Sequence, residues 1–273
     1  MIMRNRLYKL LLLLVLAFTV MPFGSTMDTV NAEVVNEGWD ETGTVYYVKK
    51  SGKLVKASGV VKAGEEYLYF EDGVVQSTFT ALKTFKDEDD FEVYYIENGK
   101  ALCNSWKTAA DKKGEFKFYF GSDGKAYKAE RFAGMKTTKV ILKTVEGAKY
   151  GFDENGHCVT GLWATDNKLV FFNKKTGVYD AKASKKYQKA VKRKKTSKDM
   201  PKKLKKVFGK PTKIKSSNSC NPFDIKPGAY FDSAMLKNYR GYNYYYKNIM
   251  ISMTKNKKTG VYYMDGAGPI DLN

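Results

Sequence analysis

The stretch "KYGFDENGHCVTGLW", Lys149 to Trp163, decides the fold. An aromatic run leads into Asp-Glu-Asn-Gly, and a second glycine and a tryptophan follow. Aromatic residues favour a pleated strand, and Asn-Gly supplies the positive φ of a tight turn without steric cost. Taken alone, the stretch is a strand, a turn and a second strand, with no evident catalytic group.

Five further segments share its form: "VYYVKKSGKLV" (Val45–Val55), "YLYFEDGVV" (Tyr67–Val75), "VYYIENGKAL" (Val93–Leu102), "FKFYFGSDGKAY" (Phe116–Tyr127) and "LVFFNKKTGVY" (Leu169–Tyr179). Their turn glycines, Gly52, Gly73, Gly99, Gly124, Gly156 and Gly177, are 21, 26, 25, 32 and 21 residues apart. A lone hairpin buries no face and is only marginally stable. Stacking one on the next buries that face and gives a quasi-linear array. The expected fold is therefore mainly β: a solenoid-like β-hairpin array over residues 33–181. Inserts such as "KDEDD" (Lys86–Asp90) and "ADKKG" (Ala110–Gly114) fill the longer gaps.

Ahead of the array, Arg4, Arg6 and Lys9 form a basic head, and Leu10 to Val20 is an apolar run of 11 residues broken only by Thr19. Spanning a bilayer takes about 20 apolar residues. The run fits a secretory signal peptide cleaved after Ala32, with no stable membrane insertion afterwards.

The net charge of +19 is unevenly placed. Residues 33–181 hold 22 basic and 23 acidic groups, whereas 182–220 hold 16 basic groups and one acid, Asp199. Residues 182–198, "KASKKYQKAVKRKKTSK", place Tyr187, Ala190 and Val191 at helical spacing and are expected to form a solvated, partly helical basic linker that meets polyanions in a salt-dependent way. Export and the lack of a base-reading motif exclude nucleic acid. From Asp199 to the end at 273, "DMPKKLKKVFGKP" predicts a short amphipathic helix stopped by Gly209. "YNYYYKNIMISMTK" (Tyr242–Lys255) and "GVYYMDG" (Gly260–Gly266) predict strands, together a small α+β domain.

The chemistry-bearing residues are few. Cys103, Cys158 and Cys220 are too few and too scattered for a disulfide framework, and His157 is the sole histidine. That set offers no metal cluster, and no cofactor motif is present. The acids at Glu65-Glu66 and Asp87–Asp90 sit in turns or charge runs, so no catalytic set is expected.

The six segments resemble the cell-wall-binding repeats of Gram-positive surface proteins, the class that includes choline-binding and glucan-binding repeats. Tyr150 to Trp163 carries the resemblance most fully, with partial matches at Gly38-Trp39 and Ser105-Trp106. It implies a secreted or wall-associated binder of a wall polymer: teichoic acid choline, a glucan or peptidoglycan. It also implies ligand contact at Trp39, Trp106 and Trp163, and at the outward aromatics Tyr47, Tyr95, Phe120, Phe152 and Phe172. A second expectation from the residues is a protein-interaction or inhibitor-like role, in which the C-terminal domain binds a protein partner and the repeats form a display stalk.

Overall fold

The computed structural model describes residues 36–87, 90–131, 134–218 and 237–272. The signal-peptide expectation for residues 1–32 and the reading of Cys220 lie outside them.

Six hairpins follow one another. They are β1 (Gly38–Trp39) with β2 (Tyr46–Lys50), β4 (Gly59–Ala63) with β5 (Glu66–Glu71), and β7 (Ala81–Asp87) with β8 (Asp90–Glu97). Then come β10 (Ser105–Asp111) with β11 (Gly114–Phe120), β12 (Ile141–Val145) with β13 (Ala148–Phe152), and β14 (Gly161–Ala164) with β15 (Leu169–Phe172). All six pairs are antiparallel. The mainly β, hairpin-array fold class is as expected.

The six glycine turns do something other than join the long strands. Each follows the aromatic second strand and bends the chain into a short hook. After Gly52, Gly73 and Gly99 the hook returns as β3 (Lys53–Lys56), β6 (Val74–Val75) and β9 (Lys100–Ala101). After Gly124, Gly156 and Gly177 it closes on one bridge each: Phe120 with Ala126, Phe152 with Cys158, and Phe172 with Tyr179. So Lys149–Trp163 is not one hairpin. Its first strand pairs backwards with β12 and its last pairs forwards with β15. Asp153 holds the hook between them, its carboxylate accepting the Asn155 N–H at 2.8 Å and the His157 N–H at 3.0 Å.

The hooks stack. An added Cβ at Gly99 would lie 2.8 Å from the Gln76 carbonyl and 2.8 Å from the Ser77 Cα, just past the preceding hook. At Gly124 it would meet the Ala101 Cβ at 3.0 Å, at Gly156 the Ala126 Cβ at 3.2 Å, and at Gly177 the Cys158 Sγ at 3.3 Å. Backbone bonds tie neighbouring units as well: Tyr69 N–H to Gly99 C=O, Ala126 N–H to Val93 C=O, Cys158 N–H to Lys117 C=O and Tyr179 N–H to Lys149 C=O, each 2.8 Å. Buried aromatics fill the space between hairpins, among them Tyr69, Phe70, Phe118, Phe120, Phe152 and Phe172.

Beyond the last hook Ala181–Ala190 is a helix, α1, in keeping with the helical spacing, but it is docked on the last hairpin instead of standing in solvent. Its apolar side outweighs the repulsion among its lysines: Tyr187 stacks on Phe171 of β15 at 5.6 Å, buried Ser184 accepts the Phe171 N–H, and Gln188 donates to Leu169 C=O. Asp180 caps it by accepting the Ala183 N–H.

The strand β16 (Thr196–Ser197) follows, then α2 (Met200–Phe208), close to the predicted helix and ended at Gly209. The remaining strands are β17 (Lys213–Asn218), β18 (Tyr239–Tyr245), β19 (Met250–Asn256) and β20 (Tyr262–Gly268), in the sheet order β16-β20-β19-β18-β17. The stretch Tyr242–Lys255 contributes to two strands, because polar Lys247-Asn248 turns the chain and the Tyr246 N–H closes on Ile249 C=O.

This unit shares its core with the array. Ala164 and Leu169 of the last hairpin pack with Met200, Leu204, Ile251, Met253 and Met264. The Thr138 hydroxyl donates to Asn248 C=O at 2.8 Å, and the Leu272 N–H to Lys136 C=O at 2.9 Å. The α+β unit thus covers the end of the stack, as terminal units of a repeat array must.

Candidate functional site

Trp106, in the first strand of the fourth hairpin, is the centre of a five-ring aromatic assembly. Register places it opposite Tyr119. The two rings meet edge to face at 5.1 Å. From the fifth hairpin Tyr150 meets Trp106 edge-on at 4.9 Å, and Phe152 lies near-parallel to it at 6.1 Å. Tyr127, just past the fourth hook, touches Tyr119 at 5.1 Å and Phe152 at 5.7 Å. Phe152 is wholly buried and forms the floor, whereas Trp106, Tyr119, Tyr127 and Tyr150 keep part of their surface in solvent.

Two lysines cover these rings. The Lys117 Nζ is 4.1 Å from the Trp106 centroid, and the Lys143 Nζ is 5.3 Å from that of Tyr127. Strand alternation puts Lys117 on the same side as Tyr119, and pairing sets Lys143 opposite Tyr150. Such a contact contributes about 0.5–1 kcal/mol at an exposed site.

Beside this assembly a cleft of about 870 Å³ opens between the third, fourth and fifth units, with Thr165 and Asp166 of the sixth at its edge. Val93, Ala126, Val140 and Ile141 make its apolar floor, and Tyr127 and Lys143 belong to both cleft and ring cluster. Its rim carries ion pairs: Lys125 with Glu92, Lys128 with Asp90 at 2.6 Å, and Lys139 with Asp166 at 3.5 Å. An apolar floor with convergent polar groups, in a volume of this order, is the usual form of a ligand site.

The residues singled out from the sequence fall into two groups. Trp39 is 44% exposed and packs on Tyr46 at 5.1 Å and Phe70 at 5.8 Å. Tyr47 and Tyr95 are half-buried, and Tyr95 carries the Lys107 Nζ at 4.4 Å. Trp163 is half-buried, with its indole N–H donated to Thr160 C=O at 2.9 Å. Phe120, Phe152 and Phe172, by contrast, are fully buried and present no face to solvent, so they serve packing. Their strands direct them inward, the Phe172 ring closing over Gly151, where an added Cβ would lie 2.2 Å from it. Trp39, Trp106 and Trp163 sit in three different hairpins; Trp106 meets the cleft through the Tyr127 ring cluster, and Trp163 packs in the cluster of Val140 and Leu142, which also line it.

Sequence reasoning missed Tyr119, Tyr127, Lys117 and Lys143. A signal was present: in "FKFYF" Lys117 and Tyr119 alternate with Phe116, Phe118 and Phe120, so both must share the face the phenylalanines leave.

His157 also proves structural. Its Nδ1 is 3.1 Å from Asp153 and its Nε2 is 2.9 Å from Asp111 at the tip of the fourth hairpin. Its ring stacks on Phe116 at 3.7 Å. Burial disfavours the charged ring, yet the hydrogen bonds and charges of Asp153 and Asp111 outweigh this and raise its pKa.

No family model matches the chain. Over 139 residues it is 30% identical to the glucosyltransferase-I of Streptococcus downei, covering 47% of this chain and 8% of that protein. This match bears out the resemblance drawn from the repeats. The chain thus spans only a small fraction of the relative's length. Among solved structures it is similar to the modular Cpl-1 endolysin complexed with a peptidoglycan analogue (19% identity, 37% of this chain and 25% of that one, TM-score 0.27). It is also similar to a truncated alternansucrase from Leuconostoc mesenteroides (19%, 50% and 12%, 0.25) and to choline binding protein F from Streptococcus pneumoniae (15%, 50% and 66%, 0.20). At these TM-scores the likenesses carry no weight for function.

Proposed function

We propose that this is a secreted, non-catalytic carbohydrate-binding protein of the Gram-positive cell envelope, which attaches to wall polymers through its hairpin array. The observation that carries the reading is the Trp106 cluster at the rim of the 870 Å³ cleft, a half-exposed aromatic platform next to ion-paired polar groups. A saccharide packs along the apolar cleft floor against the edge of this cluster, while its hydroxyls take hydrogen bonds at the rim. The sequence match to a glucosyltransferase is in keeping with this.

The basic surface assists. The lysines of α1 and α2 are exposed, and Lys202 with Asp199, at 4.0 Å, is the one ion pair the two helices make among the described residues. A cationic face of this kind adds a salt-screened attraction to anionic wall polymers.

The test is co-sedimentation of residues 33–273 with purified Gram-positive walls at low and high salt. Pelleting at both salts, reduced by Trp106→Ala, is the expected result. Replacing Lys185, Lys186, Lys202 and Lys206 with Gln should remove only the extra binding at low salt. Absence from the pellet at both salts overturns the proposal, and release of reducing sugar from the walls overturns its non-catalytic part.

A further inference from the structure

Ring after ring along the array carries a cation supplied by the chain itself. Lys83 lies over Tyr69 at 4.9 Å and Phe79 at 5.2 Å, Lys107 over Tyr95 at 4.4 Å, and Lys117 over Trp106 at 4.1 Å. Lys128 and Arg131 both lie over Phe91, at 4.9 and 4.5 Å, and Lys143 lies over Tyr127. A quaternary ammonium ligand is held by these same ring faces. To bind here it would have to displace a tethered ammonium, whose effective concentration is on the order of millimolar or above.

The cations are held in place by more than the rings. Lys107 bonds to Glu97 at 3.1 Å, Lys128 to Asp90, and Arg131 to Glu154 at 3.3 Å. Lys117 and Lys143 make no ion pair among the described residues, and strand register aims both at the ring cluster. Glu146, in the β12–β13 turn, acts on the Tyr119 phenol but forms an ion pair with neither lysine. The cleft itself is nearly neutral, with a balance of −1: Asp90, Glu92, Asp123, Glu130 and Asp166 face Lys125, Lys128, Lys139 and Lys143, and three of these acids are ion-paired. Neither a cationic nor a strongly anionic ligand gains there, whereas an uncharged polyol gains from both floor and rim.

We propose that Lys117 and Lys143 are specificity determinants: they close the Trp106–Tyr127 rings to quaternary ammonium ligands and leave the adjoining cleft to an uncharged saccharide chain. This rests on the carbohydrate-binding reading above and narrows it, since choline is thereby removed from the ligands of this site.

The experiment follows the indole N–H resonance of Trp106, one of three in the chain and assigned by its loss in Trp106→Phe. The mature chain, Lys117→Met and Tyr127→Ala are each titrated with choline chloride and with a neutral gluco-oligosaccharide. Met keeps the length and apolar stem of Lys and removes the charge, and Lys117 is exposed, so the fold is retained. The wild type should show no choline shift at concentrations that shift Lys117→Met by half, a difference of at least tenfold in midpoint. The oligosaccharide should shift the wild type and fail to shift Tyr127→Ala. A choline shift in the wild type, or none in Lys117→Met, overturns the proposal and leaves carbohydrate binding untouched. If no variant responds to the oligosaccharide, the proposal falls as well. Wall co-sedimentation then separates the two readings, since a protein that still pellets binds envelope by another ligand and one that does not refutes both.

Discussion

His157 of the fifth unit joins Asp111 of the fourth, Nε2 to Oδ2, at 2.9 Å, across the boundary between two hairpins. The contact is a clasp between units made by the sole histidine of the chain, and Asp153 holds its other nitrogen.

Because the folded state raises the His157 pKa, this clasp stabilises most where the ring is protonated. Its contribution is full below the unfolded value near 6.5 and is lost as pH rises through the higher folded value. Thermal unfolding of residues 33–273 should therefore give a lower Tm at pH 9 than at pH 6, and Asp111→Asn should reduce that difference. An identical pH dependence in wild type and Asp111→Asn would show that the clasp adds nothing. His157→Ala, which strands two partly buried carboxylates, should cost about 3–5 kcal/mol.

Two glycines with the same backbone separate conformation from contact. Gly147 has φ +79° and open space around its would-be Cβ, and Gly99 has φ +75° with backbone atoms at 2.8 Å. Gly147→Ala should cost about 1 kcal/mol from strain alone. Gly99→Ala adds a clash with the preceding hook and should cost a further ~1–3 kcal/mol. Urea denaturation of the two variants measures the gap, and equal losses would mean that the hooks do not bear on one another.

The shared core at the end of the stack predicts a spread of damage. Leu204→Ala in α2 should cost about 2–5 kcal/mol, and hydrogen exchange should quicken in β14 and β15 as well as in the C-terminal sheet. Exchange confined to the sheet would separate the two units energetically.

Cys158 lies in the fifth hook, where burial pushes its thiol up to about 11 and nearby Lys117 offsets only part of this. Against an ordinary value of 9.0 this is about a hundredfold less thiolate at neutral pH. Peptide-resolved alkylation at pH 8 should label Cys158 about a hundredfold more slowly in native protein than in guanidinium, and equal rates would contradict the burial.

The array was readable because its signal is repeated. Six aromatic-glycine segments leave little freedom in the fold class, and the helix over 200–208 announces itself by Pro201, Leu204 and Gly209. What the glycine turns connect was not readable. Asn-Gly is equally good chemistry for a long hairpin and for a hook, and the choice depends on which strand offers the better partner, a tertiary matter. The same holds for α1: its lysine count suggests solvation, and only the ring of Phe171 beneath Tyr187 makes it a docked helix. Of the site, the Trp106 ring was legible, but its lysine cover depends on facing and register that no single segment declares.

The column of hooks also has a mechanical meaning. Each unit closes on itself within 21 to 32 residues and leans on the one before it. Pulled from its two ends, such a chain gives way one link at a time and never all at once. Each link, at roughly 3.6 Å per residue, extends to at most about 75–115 Å, less the length it already spans when folded. A protein fixed to a wall at one point and loaded at another would then behave as a shock absorber, its reach extended in steps while the remaining grooves stay formed.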